Sequence, residues 1–107
     1  MAKVVLALAT AATGLALPAA EAFARSLRTA QALGWEIVAA VPAEGRIEAT
    51  DTTLLFGFKD DVVIRVTGDG PGSRVDVRSA SRVGRSDFGT NARRVRAYLD
   101  RLQSPAG

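Results

Sequence analysis

The stretch DDVVIRVTGDGPGSRVDVRSAS, Asp60 to Ser81, constrains the fold of this chain more than any other. Val62, Ile64 and Val66 alternate with Val63, Arg65 and Thr67, and after the break Val75, Val77 and Ser79 alternate with Arg74, Asp76 and Arg78. Successive strand residues point to opposite faces, so each run has one largely apolar side and one polar side. The intervening Gly-Asp-Gly-Pro-Gly is a reverse-turn signal, and the two runs form an antiparallel hairpin. It is no phosphate loop, because no helix follows it and no Lys-Ser/Thr pair completes it.

An earlier pair of runs reads the same way. Trp35 to Val41 predicts a strand, Pro42-Ala43-Glu44-Gly45 a turn, and Arg46 to Thr52 a second strand with Ile47 and Ala49 alternating against Glu48 and Thr50. The following TLLFGF patch, broken by Gly57, reads either as a bulged strand or as a turn carrying aromatics.

Helical spacing frames the two hairpins. Phe23, Leu27, Ala30 and Leu33 recur on one face, with Pro18 suited to the first turn, Glu21 to the helix dipole and Gly34 to the position just past the end. Near the C-terminus Phe88, Ala92, Val95, Leu99 and Leu102 form a second amphipathic stripe. The order helix, hairpin, hairpin, helix predicts an α+β, two-layer domain over residues 18–103. It has an antiparallel sheet of about four strands, N- and C-terminal helices packed on one face, and a short tail over 104–107.

The opening MAKVVLALATAATGLAL, residues 1–17, reads in two ways. It resembles a secretory signal, with a lysine, an apolar run and a cleavage site at Ala20-Glu21-Ala22, yet it is too short to span a bilayer. The other reading is an apolar helix or strand that packs on the domain. Exported or membrane-proximal and cytoplasmic locations are both left open.

Composition narrows the chemistry. The chain has 107 residues, 48% of them apolar and 23% charged, which suits one globular domain with a real core. It holds no cysteine and no histidine, so disulfides, thiol chemistry and the commonest general base are excluded, and a structural zinc site with them. Charge is uneven: four bases against five acids before residue 57, ten against six from Gly57 onward, summing to +3. That excess is too small to indicate nucleic acid. No cofactor is indicated either. Arginine supplies twelve of the fourteen bases and favours bidentate pairing with carboxylate or phosphate.

Two places carry that charge. Facing away from the valines, the sheet presents Glu48, Thr50, Arg65, Arg74, Asp76 and Arg78, either as a lattice of cross-strand pairs or as a partner surface. The strand-to-helix junction around RSASRVGRSD is the second. A helix N-terminus there offers free N–H groups to an anion, with Arg82 and Arg85 close by and hydroxyls from Ser79, Ser81 and Ser86. Alternatively Ser86 or Asp87 caps that helix, and the arginines pair with Asp87, Asp60 or Asp61. A serine nucleophile would lack a base, and Asp60 and Asp61, being adjacent on a strand, point to opposite faces. Glu48, Asp76 and Asp87 lack the loop spacing of a calcium site.

Three segments carry a family resemblance: EATDTT (48–53), FGFKDD (56–61), and the pattern R-S-x-S-R-x-G-x-S-D-x-G-x-N-x-x-R. The pattern is formed by Arg78, Ser79, Ser81, Arg82, Gly84, Ser86, Asp87, Gly89, Asn91 and Arg94. With these the chain closely resembles the bacterial and plastid domain-of-unknown-function family fourteen ninety-nine over residues 18–102. The resemblance implies no activity. Members often have a membrane-spanning or exported N-terminus, which keeps the export reading of residues 1–17 in play.

These readings give a first expectation of a non-enzymatic domain binding an anionic small molecule or acidic protein partner near Arg78, Arg82, Arg85 and Arg94. A structural or assembly domain, membrane-proximal through its N-terminal segment and using the signature residues for the fold, is the alternative. A histidine-free hydrolase built on Asp60, Asp61 or Asp87 is the third.

Overall fold

The computed structural model describes residues 8–53, 57–82 and 88–104. The chain runs β1 (Leu8–Leu15), α1 (Ala19–Ala32), β2 (Glu36–Val41), a 3-10 turn (Pro42–Glu44), β3 (Arg46–Thr52), β4 (Lys59–Asp69), β5 (Gly72–Ser81) and α2 (Phe88–Gln103). The strands form one antiparallel sheet in the order β1-β5-β4-β3-β2. The α+β class is as expected, but the sheet has five strands where about four were expected. The extra strand comes from the N-terminal apolar segment, of which Leu8–Leu15 pairs with β5 from Leu8↔Ala80 to Leu15↔Ser73. Its small alanines and threonines fit beside β5, and close approach at its end requires a glycine. A Cβ on Gly72 would lie 2.6 Å from the Leu15 carbonyl oxygen.

Helix α1 starts and stops on local chemistry. Pro18 is its N-cap, and the Pro18 carbonyl accepts the first helical bond from Ala22 at 2.9 Å. At the other end Gly34 takes φ 83°, its N–H donates to Gln31, and the Trp35 N–H donates to Ala30. That pair of bonds is a Schellman ending, which satisfies the last carbonyls and turns Trp35 back onto the core.

One face of the sheet supplies the core. Ile47 and Ala49 of β3, Val62, Ile64 and Val66 of β4, and Val75 and Val77 of β5 are all buried, as the alternation requires. Helix α1 contacts β2, β4 and β5, helix α2 contacts β1 and β5, and the helices touch each other. Their contact is specific: the Tyr98 hydroxyl donates to the Ser26 carbonyl at 2.8 Å, and its ring stacks on Trp35 with centroids 5.3 Å apart. Such stacking contributes about 0.5–1.5 kcal/mol beyond the buried area.

The C-terminal stripe differs from its sequence reading. The residues of α2 that are fully inside are Asn91, Arg94, Val95, Tyr98 and Leu102, whereas Ala92 and Leu99 are only half-buried. The Phe88 side chain of the expected stripe lies outside the described residues. Helix α2 is rotated toward two polar residues because the sheet meets it with polar groups, described below. The TLLFGF patch falls partly outside the described residues too. Its described ends close on each other, with the Thr53 N–H donating to the Phe58 carbonyl at 2.7 Å. No helix among the described residues is long and apolar enough to cross a membrane.

Burial pushes the Tyr98 phenol well above its ordinary value near 10.0. Tyr98 stays neutral in the folded protein while the unfolded phenol ionises, so stability holds below about pH 10 and falls as pH rises beyond it. Tyr98 is the only tyrosine, so tyrosinate absorbance reports it alone. Absorbance and Trp35 fluorescence are expected to change together in one alkaline unfolding step, which Tyr98→Phe shifts to higher pH. Gly45 is a second sensitive point. It takes φ 65°, and an added Cβ would lie 2.1 Å from the Val66 carbonyl oxygen. Gly45→Ala is expected to cost more than about 1 kcal/mol in a urea melt.

Candidate functional site

At one end of the sheet the core rows stop being apolar. On the inward face, Asp51 of β3 lies directly across from Asp60 of β4, and Ser79 and Ser81 continue the inward row of β5. Two carboxylates in directly opposed positions repel each other. The guanidinium of Arg94, reaching down from α2, resolves that repulsion. Its Nε donates to Asp51 Oδ2 at 2.8 Å, one terminal nitrogen pairs with Asp60 Oδ2 at 2.8 Å, and the other donates to Ser79 Oγ at 3.1 Å and Asn91 Oδ1 at 2.9 Å. Asn91 also accepts from Ser79 Oγ at 2.7 Å and donates to Ser81 Oγ at 3.0 Å.

This cluster is buried and saturated. The side chains of Arg94 and Asp60 are 6% and 5% exposed, while Asp51, at 30%, keeps access to water. Every nitrogen of the guanidinium has an acceptor, so the arginine meets the condition for burying a charge.

A second clamp holds the same end of the sheet from the other face. Asp61 points away from Asp60, as adjacency on a strand requires, and accepts from Arg82 Nε and a terminal nitrogen at 2.9–3.0 Å. That pair is half-exposed, and Asp61 holds the Arg82 guanidinium above its ordinary pKa through this hydrogen bond and its charge. Arg82 also reaches Thr50 at 3.4 Å, and Thr50 is buried although it belongs to the wet face.

Elsewhere on the wet face Arg46 bonds Glu44 and Glu48, and Arg74 bonds Asp76. Arg65 and Arg78 are different. Both are exposed, and neither makes an ion pair among the described residues, although Asp76, which bonds Arg74, lies directly across from Arg65. Arg78 lies opposite Val63 on the neighbouring strand, two residues from Arg65, so the two arginines are diagonal neighbours within reach of each other's ligands. They line a shallow concavity of about 500 Å³ with Thr10 and Ala12 of β1 and with the Arg74–Asp76 pair.

The residues named from sequence therefore divide into groups. Ser79, Ser81, Asn91 and Arg94 come together in the buried cluster, Arg82 sits in the outer clamp, and Arg65 and Arg78 stand on the open face. Arg85, Ser86 and Asp87, with the expected helix-end anion site and its cap, lie outside the described residues. Asp51 was missed in the sequence, although its place in the inward row with Ile47 and Ala49 was a usable signal.

The three segments behind the family resemblance meet at this end of the sheet: EATDTT brings Asp51, FGFKDD brings Asp60 and Asp61, and the long pattern brings the two serines, the asparagine and both arginines. A model of the family described as "Protein of unknown function (DUF1499)" matches residues 7–102. The chain belongs to that family. No curated protein matches the chain. Among solved structures it is similar to Ara h 8.0201, with a TM-score of 0.63 at 11% identity, covering 91% of this chain and 94% of that one. It is also similar to the di-domain ARO/CYC BexL from the BE-7585A biosynthetic pathway, at TM-score 0.63 and 15% identity over 90% of this chain and 45% of that one. A third similarity is to TTHA0849 from Thermus thermophilus, at TM-score 0.50 and 13% identity over 89% and 93% of the two chains. At these identities the likeness is one of fold alone. The DUF1499 match begins at residue 7, so it takes in strand β1 as well as the segments of the resemblance.

Removing Arg94 leaves two facing carboxylates, one of them buried. Arg94→Leu is expected to lose about 3–5 kcal/mol in a denaturant melt, and replacing Asp60 by Leu in the same chain to recover part of that loss. Arg82→Ala, at an exposed pair, is expected to leave the midpoint nearly unchanged.

Proposed function

We propose that this DUF1499 domain is a non-enzymatic binding domain, with both helices over the apolar sheet face and an anionic group received on the opposite, wet face between Arg65 and Arg78. The observation that carries this reading is the contrast among the arginines. On the wet face Arg46, Arg74 and Arg82 are each bonded to a carboxylate, whereas Arg65 and Arg78 are exposed, adjacent and make no ion pair among the described residues, Asp76 across from Arg65 being bonded to Arg74. Two guanidinium forks on neighbouring strands suit a phosphate or carboxylate, each offering parallel N–H donors. Val63, Thr10 and Ala12 beside them leave room for the body of such a ligand.

The signature residues take a different part in this reading. Arg94, Asn91, Ser79 and Ser81 spend their hydrogen bonds on one another and on Asp51 and Asp60, which favours a scaffold role for them. The structural or assembly reading is thus retained as the second one, on the strength of that cluster. A hydrolase built on Asp60 finds less support, because its carboxylate is buried and held by Arg94.

Titration with inorganic phosphate, pyrophosphate and a short polyglutamate, followed by amide chemical shifts and thermal melts, tests the proposal. Saturable shifts on β4 and β5 around Arg65 and Arg78 are expected, with a rise in melting temperature that Arg65→Ala/Arg78→Ala abolishes. No saturable change at millimolar probe, or an unaltered response in the double variant, overturns the site and leaves the scaffold reading standing.

A further inference from the structure

The sheet has two edges, and they are built differently. Strand β2 is six residues long, carries Glu36, breaks register between Ile37 and Ala39, and runs into Pro42. A short length, a charge and a bulge are the usual means of stopping an edge from pairing with another chain. Strand β1 has none of them. Its eight residues, LATAATGL, contain no charge and no proline, and they pair with β5 without a register break. On its other side no strand follows among the described residues. Its unpaired N–H and C=O groups make a template for one more antiparallel strand.

What lies over that edge narrows the partner. Helix α2 runs alongside β1 in the same direction, since Asn91 bonds Ser79, the register partner of Ala9, and Gln103 bonds Thr13. Between them is a groove of about 420 Å³, roomy because β1 contributes only small side chains, with Val95 and Leu99 in its wall. Arg96 and Asp100 line the same groove, one helical turn apart. Both are exposed, and neither has a charged partner among the described residues. Between the Asn91 and Gln103 contacts, the midpoint of Arg96 and Asp100, position 98, interpolates to about Ala11, near the middle of β1.

A flank with a positive and a negative group placed symmetrically about the centre of a free strand is complementary to itself under a two-fold rotation. We propose that β1 pairs antiparallel with β1 of a second copy of this chain, about an axis at Ala11, joining the two sheets edge to edge. Directly opposed residues then share a face: Thr10 meets Ala12 of the second copy, and Ala9 meets Thr13, all small enough for close approach. Arg96 faces Asp100 of the second copy, and the reverse pair repeats it. Leu99 of each copy covers the shared groove.

The test uses the full chain in sedimentation equilibrium and a disulfide trap. The wild-type protein is expected to be a dimer at micromolar concentration. Arg96→Glu and Asp100→Arg should each weaken it at least about tenfold by placing like charges opposite each other, and the double swap should restore it. The chain lacks cysteine, so Ala11→Cys introduces the only thiol. Opposed strand residues lie at disulfide distance, and oxidation should give a covalent dimer from Ala11→Cys but not from Val38→Cys on the other edge. A wild-type chain that stays monomeric at about 100 µM overturns the proposal. So does a dimer indifferent to both charge reversals, or one trapped equally well at Val38.

Discussion

The arrangement of this domain depends on the guanidinium of Arg94. The far ends of β3, β4 and β5 turn polar on their buried side, and two of the groups placed there are carboxylates directly across from each other. Without a cation between them, Asp51 and Asp60 would repel, and Asp60 is buried away from water. Arg94 brings that cation from α2 and uses all of its nitrogens in doing so. A buried ion pair is weak evidence of net stability, because desolvation offsets most of its attraction. Its stronger effect here is on specificity. Sliding or rotating α2 by one turn would bury a charge unpaired, so the cluster fixes where the helix sits on the sheet.

The rest of the core follows from that placement. With Arg94 over the polar end, Tyr98 comes one turn later to stand over the apolar rows, stack on Trp35 and bond Ser26 of α1. Leu102, a further turn on, is fully buried. One face of α2 thus runs from polar to apolar along its length, matching the sheet beneath it. Trp35 reaches the stack because Gly34 ends α1 in a left-handed turn. The polar clamp and the aromatic stack are separate interactions, but each presupposes the helix position the other requires.

Much of the fold was legible because strand alternation and turn chemistry are local signals. The hairpins, the end of α1 at Gly34 and the wet face of Arg65, Arg74 and Arg78 needed only spacing to find. Strand β1 was half legible: a helix or strand packing on the domain was one of two readings, but alanine and threonine alternate too weakly to choose between them, and its pairing with β5 joins distant parts of the chain. Helix α2 was legible in its extent but not in its rotation. A count of apolar residues cannot rank Arg94 or Asn91 as buried, because their burial depends on Asp51, Asp60 and two serines that only the fold assembles. The opposite facing of Asp60 and Asp61, by contrast, was fixed by adjacency alone.

The arginines show why a signature residue is not automatically a ligand residue. An arginine offers five N–H donors, and what it can do for a ligand depends on how many are already engaged. Arg94 has a protein acceptor for every nitrogen, and a visiting anion would have to displace a buried carboxylate, Asp60, from it. Arg82 lies between the extremes, bidentate to Asp61 but open to solvent, so an anion there competes with a carboxylate already in place. Arg65 and Arg78 face solvent and make no ion pair among the described residues, so binding to them breaks no ion pair of their own. The same residue type therefore serves as internal clamp, surface pair and open receptor within one sheet. What separates the three is the location of the acidic residues. Asp51, Asp60 and Asp61 gather at one end, and the acids in the middle of the wet face, Glu48 and Asp76, are bonded to Arg46 and Arg74 rather than to Arg65 or Arg78.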